Sequence, residues 1–250
     1  FSVHSLMQES WRWFGPDDTV TLEQIVQAGA SGVVTALDHI PTGEVWPIED
    51  ILERQEMLRQ YGLEWVVVES VPVQQDIKLR QGDYRRIISN YQQTLRNLSS
   101  LGIGRVCYNF MPVVDWTRTS LDFELDNASS ALRFEMTDFV AYDLFILERP
   151  GAEQDYTADV LERAGQRFAE LSEAERATLE QNIIAGLPGG EGSYDRAGIR
   201  QAIAAFTDLG TEGMRANLKS FLQDVVPVAE EAGIVMAIHP DDPPISLFGL

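Results

Sequence analysis

The chain has 250 residues, with 19 basic and 39 acidic side chains and a formal net charge of −20 at pH 7. Hydrophobic residues make up 44% of it, enough to bury a substantial core, and the length fits one large domain or two small ones. The acidity argues against nucleic acid or an anionic membrane as a partner, since no basic surplus exists to neutralise phosphates.

No apolar run approaches the roughly 20 residues that span a bilayer. No basic stretch followed by an apolar one marks a secretory signal. The single cysteine, Cys107, cannot form an internal disulfide, which fits a reducing cytoplasm. Lys78 and Lys219 are the only lysines. An acid-rich, lysine-poor chain suits high-salt surroundings, but a plain solvated acidic surface explains it equally. Taking Met7 as the natural start makes Phe1–Leu6 a remnant, His4 included, and residues 1–10 an extension.

In chain order, the first expected strand is Trp11-Arg12-Trp13-Phe14, closed by Gly15-Pro16. Alternation places both tryptophans on one face. Thr21 reads as the N-cap of a short helix carrying Leu22, Ile25 and Val26. Val33–Leu37 follows Gly32 as a second strand. Pro47–Gln60 reads as a helix carrying Ile48, Ile51, Leu52, Met57 and Leu58. Trp65–Val68 is the third strand. Tyr84–Leu101 puts Ile87, Ile88, Tyr91, Leu95 and Leu98 on one helical face.

Arg105–Phe110 is the fourth strand. Residues 111 to about 210 then form a mainly helical insertion, patterned around Val160–Glu170 and Glu173–Ile184, with a loop at Pro188-Gly189-Gly190. A lid over a sheet and a separate domain are both compatible with that stretch. Thr211–Ala232 is a last helix that Pro227 should kink, and Ile234–Ile238 is the fifth strand. Continuous apolar runs of this kind read as strands buried on both faces.

Strands alternating with helices define an α/β fold with parallel connections. A (β/α)₈ TIM barrel and a doubly wound sheet are the two candidates. No Gly-x-Gly-x-x-Gly follows a strand, which weakens a dinucleotide site. Polar residues do follow the strands: Asp38-His39, Glu69-Ser70, Asn109 and His239. Chemistry at the C-terminal strand ends is the habit of the barrel. Five strands fall short of the eight a barrel needs, so C-terminal strands are expected to be missing from this chain.

His239 heads His239-Pro240-Asp241-Asp242-Pro243-Pro244. An imidazole beside carboxylates, braced by prolines, suits a divalent transition metal, although the two aspartates also fit a solvated loop. His39, Glu69, Asn109 and Asp241 are candidate substrate ligands; the plainer roles are a capping or loop histidine for His39, hydrogen bonds to adjacent loops for Glu69 and Asn109, and a solvated loop for Asp241. Trp13 either lines a site or packs. Arg118 offers a fork for a substrate carboxylate, against a surface pair with Asp115. Cys107, in mid-strand, reads as a small core residue.

Several stretches together resemble the mannonate dehydratase family. They are Ser10–Pro16, Gly32–Leu37, His39-Ile40-Pro41 with Gly43-Glu44-Val45-Trp46, Val68–Pro72, Asn90–Leu98, Val106–Pro112, Asp115–Thr119, Arg149–Ala152, Asn182–Gly189 and His239–Pro244. The resemblance implies a xylose-isomerase-like (β/α)₈ barrel and a cytoplasmic lyase of hexuronate breakdown. The implied reaction takes water from D-mannonate to give 2-keto-3-deoxy-D-gluconate, with Mn²⁺, Fe²⁺ or another divalent metal stabilising an enediolate-like state. His239 matches a metal-ligating histidine of that family. The other ligands, a cysteine, a histidine and an acidic residue, are expected beyond Leu250, as are the acid and base. Asp38 stands where relatives carry a histidine beside His39. A small sugar acid as the partner and a closed homo-oligomer are expected. A sugar isomerase or epimerase of the same barrel group, and a catalytically silent relative, are the competing readings.

Overall fold

The structure is a computed structural model that describes residues 7–185 and 195–250. Residues 1–6, His4 included, and the Pro188-Gly189-Gly190 loop lie outside the described residues. The chain divides into two compact units. One holds 1–110 and 217–239, and the other 111–216 and 240–250.

The first unit begins with β1 (Ser10–Arg12), α1 (Leu22–Gln27), β2 (Gly32–Thr35), α2 (Ile48–Arg59) and β3 (Glu64–Glu69). It continues with α3 (Gln75–Leu79), α4 (Tyr84–Ser100) and β4 (Arg105–Tyr108). The second unit contributes β5 (Ser120–Glu124), β6 (Ser130–Arg133), α5 (Met136–Ala141), α6 (Ala158–Glu170) and α7 (Glu173–Ala185). Helix α8 (Arg196–Glu231) leads back to β7 (Val235–Ile238) of the first unit.

Strands of the first unit form a five-stranded sheet ordered β1-β2-β3-β4-β7. All its pairings are parallel. Each strand lies beside the next one of the sheet in chain order, without the reversal that marks a doubly wound sheet. Helix α1 starts where expected: Thr21 accepts from the Gln24 amide, and the Gln24 side chain accepts from the Thr21 amide. Helix α4 buries Ile87, Ile88, Tyr91, Leu95 and Leu98, the predicted face. Phe221 of α8 is fully buried against Tyr91, Tyr108 and Phe110, edge-on to Tyr91 at 5.3 Å between ring centres. Phe221→Ala is expected to cost about 3–5 kcal/mol, read as a lower denaturation midpoint of the whole natural protein.

Four expectations change. Strand β2 stops at Thr35, because the next carbonyl, of Ala36, accepts from Arg54 Nη1 at 2.7 Å instead of continuing a ladder. Strand β1 stops at Arg12, so alternation does not hold the tryptophans together: Trp11 is 41% exposed and Trp13 3%. The edge strand β7 is not buried on both faces: Val235 and Ile238 are exposed, since among the described strands it has one neighbour. The helical dihedrals of α8 break at Gly210 (φ 66°, ψ 170°) and not at Pro227, which lies within continuing helix. Glycine tolerates a positive φ that other residues resist.

The second unit is less uniformly helical than its composition suggests. Strands β5 and β6 pair as an antiparallel hairpin, with Phe123 opposite Ala131. Helix α5 runs into a π-helical turn, Tyr142–Ile146, and Ala152–Asp155 is a 3₁₀ turn. Phe139 packs on Phe248 at 4.9 Å. Among the described residues no helix is long and apolar enough to cross a membrane.

Candidate active site

Parallel pairing sets the functional side chains of the first unit at one level. Glu69, the last residue of β3, lies opposite Cys107 of β4, and Tyr108 lies opposite Ile238 of β7. The His239 amide donates to the Tyr108 carbonyl at 2.7 Å, which extends that register by one residue and fixes where the imidazole departs. Here the C-terminal strand ends converge. His239 Nε2 is 3.8 Å from Glu69 Oε1, and Arg12 Nε at the end of β1 is 3.9 Å from Glu69 Oε2. Both separations exceed a hydrogen bond; Arg12 and Glu69 stay within ion-pair range, and the His239 contact is ionic only when the imidazole is protonated.

Arg12 is held from behind. Its Nη1 donates to the carbonyls of Trp13 (2.9 Å) and Val34 (3.4 Å), and the guanidinium lies 4.4 Å from the Phe14 ring centre. Burial lowers its pKa, against the pull of Glu69, Asp38 and Asp18. Arg54 is buried, donating to Thr35 Oγ1 and the Ala36 carbonyl, with the Trp13 ring at 5.2 Å. Its pKa is lowered by burial too, with Asp38 opposing. Asp38 is exposed at its surface. Crowding protein raises its pKa, and Arg12 and Arg54 only partly offset that. Burial, followed by the charge of Glu69, pushes the Cys107 thiol up to about 11, so it stays protonated near neutrality.

Of the residues singled out in the sequence, Glu69 and His239 come together. Asn109 follows β4 and is buried, and among the described residues its side-chain carbonyl oxygen has no hydrogen-bond partner. Trp13 is buried and donates its ring N–H to the Val20 carbonyl at 3.1 Å, a packing arrangement. His39 stays exposed, with Nε2 2.8 Å from Asp50 Oδ2 in the first turn of α2. In the second unit, Arg118 Nη2 donates to Asp242 Oδ2 at 2.7 Å and Nη1 to the Thr117 carbonyl. Its acidic partner is therefore Asp242, in place of the Asp115 pair weighed above. Asp241 is exposed.

Arg12, Asp38 and Arg54 were not among the chosen site residues. Asp38 directly precedes His39 after a strand and could have been selected on that ground. Arg12, between two tryptophans, read as strand interior. Arg54 lies on a helix that shows no catalytic motif.

The donors at the strand ends suit a divalent transition metal in kind. An imidazole nitrogen and a carboxylate oxygen 3.8 Å apart can approach one cation with small side-chain adjustments. Among the described residues no group of three or more His, Cys, Asp or Glu side chains forms a metal cage. His239 and Glu69 are thus the pair that could contribute to one.

A parallel α/β sheet with charged groups gathered over the C-terminal strand ends defines the class of protein: an α/β chain with its site at the strand termini. The family model for D-mannonate dehydratase (UxuA) matches residues 7–250. A mannonate dehydratase of Saccharophagus degradans is 56% identical over 98% of this chain and 62% of the relative. That of Chromohalobacter salexigens is 54% identical over the same shares. The crystal structure of mannonate dehydratase from Streptococcus suis serotype 2 superposes with a TM-score of 0.69 at 35% identity, covering 98% of this chain and 57% of that one. The chain belongs to the D-mannonate dehydratase family. It spans 62% of the length of these curated relatives.

Proposed function

We propose that this chain serves a hydro-lyase that removes water across C2 and C3 of D-mannonate, yielding 2-keto-3-deoxy-D-gluconate in hexuronate breakdown. The observation that carries the reading is the meeting of Glu69, His239 and Arg12 over the strand ends of a chain from this family. The sheet is read as part of a (β/α)₈ barrel. Five parallel strands in sequential order support that reading, as do side chains from β1, β3 and the end of β7 reaching a common point.

Elimination needs a base at C2, an acid for the departing C3 hydroxide, and positive charge near the substrate carboxylate. His239 Nε2 and Glu69 Oε1 would hold a divalent metal, Mn²⁺ or Fe²⁺ by the family's habit. Such a metal, when bound, supplies a positive centre that offsets the negative charge developing on the carboxylate side of C2. Arg12 balances Glu69 so that an anionic substrate does not face an unopposed carboxylate. Asn109, whose buried carbonyl oxygen lacks a partner among the described residues, is proposed as a partner for a substrate hydroxyl. A closed homo-oligomer in the cytoplasm completes the reading.

Product analysis tests it. The whole natural protein with D-mannonate and Mn²⁺ is expected to form a 2-keto acid lighter than the substrate by one water. A product of unchanged mass would point to an isomerase or epimerase. No product and no bound metal would point to a silent relative.

A further inference from the structure

We propose that Arg12 is the residue that binds the carboxylate of the sugar-acid substrate. The inference rests on the reading of the site as one for a sugar acid, and it names the group that recognises the acid end.

Three observations carry it. First, the guanidinium is pre-positioned. Nη1 is fixed to two backbone carbonyls and the Phe14 ring stacks on the group, so little side-chain freedom remains to be lost on binding. Second, it has unused donors. Neither Nε nor Nη2 makes a hydrogen bond among the described residues, and the facing carboxylate, Glu69, stands off at 3.9 Å. A guanidinium presents its donors in a planar fork that matches the two oxygens of a carboxylate. Third, it is placed at the C-terminal end of β1, where it faces one oxygen of the Glu69 carboxylate while His239 faces the other. A substrate carboxylate on this fork would put C2 near the imidazole and carboxylate that could act on it or hold a metal.

The alternatives in each unit are less suited. Arg54 spends its Nη1 donor on Thr35 and Ala36 and is buried at 6% exposure. Arg118 already holds Asp242 at 2.7 Å. An incoming carboxylate would have to displace that aspartate, whereas at Arg12 it would add hydrogen bonds. The partial desolvation that disfavours the Arg12 cation also strengthens its attraction for an anion.

The test uses steady-state turnover of D-mannonate by the whole metal-loaded protein, with D-mannitol as a carboxylate-free competitor. A hydrogen-bonded charge pair contributes enough that Arg12→Ala should lower kcat/KM by about 10- to 100-fold. Arg12→Lys, which keeps the charge without the fork, should recover part of the loss. The inhibition constant of D-mannitol should stay the same in all three proteins. An unchanged kcat/KM in Arg12→Ala overturns the proposal. So does a loss of mannitol affinity equal to the loss for mannonate, the signature of a merely structural role. If Arg12→Ala does not fold, Arg12→Lys and Arg12→Gln decide by the same comparison. If the unaltered protein does not turn over D-mannonate, the fault lies in the proposed reaction. Calorimetric titration with D-mannonate then decides on Arg12: equal affinity in the unaltered and substituted proteins overturns its role, and weaker affinity in the substituted ones supports it.

Discussion

Asp143→Ala is expected to destabilise the second unit by about 3–5 kcal/mol, because it removes the anion on which a buried ionic network depends. Asp143 has no exposed surface. Arg149 donates to it through Nε at 2.8 Å and Nη2 at 2.7 Å, and the Tyr156 hydroxyl donates to it at 2.6 Å. Burial alone would depress the Arg149 pKa, but the hydrogen bonds and charge of Asp143 outweigh it and the net push is upward. Burial, then the charge of Asp143, raises the pKa of the Tyr156 hydroxyl. Without Asp143, the Arg149 side chain keeps only Asp155 among the described residues, and Tyr156 loses its acceptor there. Asp143→Asn keeps an acceptor and the shape, so it should cost less than alanine. Urea denaturation of the whole natural protein measures the effect. A change under about 0.5 kcal/mol, typical of a plain surface substitution, would contradict it.

The second large effect concerns His239. Under the proposed metal-centred reading, His239→Ala is expected to lower metal occupancy and to reduce turnover at least about 100-fold, since a ligand should cost no less than the groups that only support one. Glu69→Gln should keep the fold and show a smaller loss of metal. Elemental analysis of the purified proteins reads the occupancy. Stoichiometric metal in His239→Ala would remove His239 from the ligand set. His239 is only 3.8 Å from Glu69 and anchored by its own amide to Tyr108, so the substitution alters the site without loosening the strand.

Much of the sheet was legible because β2, β3, β4 and β7 are short β-branched or apolar runs near glycines. The inward face of α4 was legible from its 3.6-residue spacing. What escaped has physical reasons. Strand ends depend on where a side chain captures a carbonyl, as Arg54 does at Ala36, and no local pattern announces that. The hairpin carried a signal in the alternation Leu121-Asp122-Phe123-Glu124-Leu125, which the surrounding helical patterns obscured. Its apolar residues remain exposed, with Leu121 at 43% and Phe123 at 37%, so burial did not reinforce the pattern.

The site was half legible for similar reasons. Glu69 and His239 each end an apolar run, and a charged group there needs a partner or a task. Their meeting depends on the register of β3, β4 and β7, and that register links residues far apart in sequence. The partner of Arg118 is Asp242, more than a hundred positions away, so the nearby Asp115 was the only pairing that local reading could offer. Arg12 was hidden by its tryptophan neighbours until the strand was seen to end on it.

The most direct test of the account is product formation from D-mannonate by the whole natural protein, stripped with a chelator and then resupplied with Mn²⁺. The expected result is a 2-keto-3-deoxy acid that appears only after metal is returned. Equal product from the stripped protein would contradict the metal-centred site, and no product under either condition would contradict the proposed dehydration.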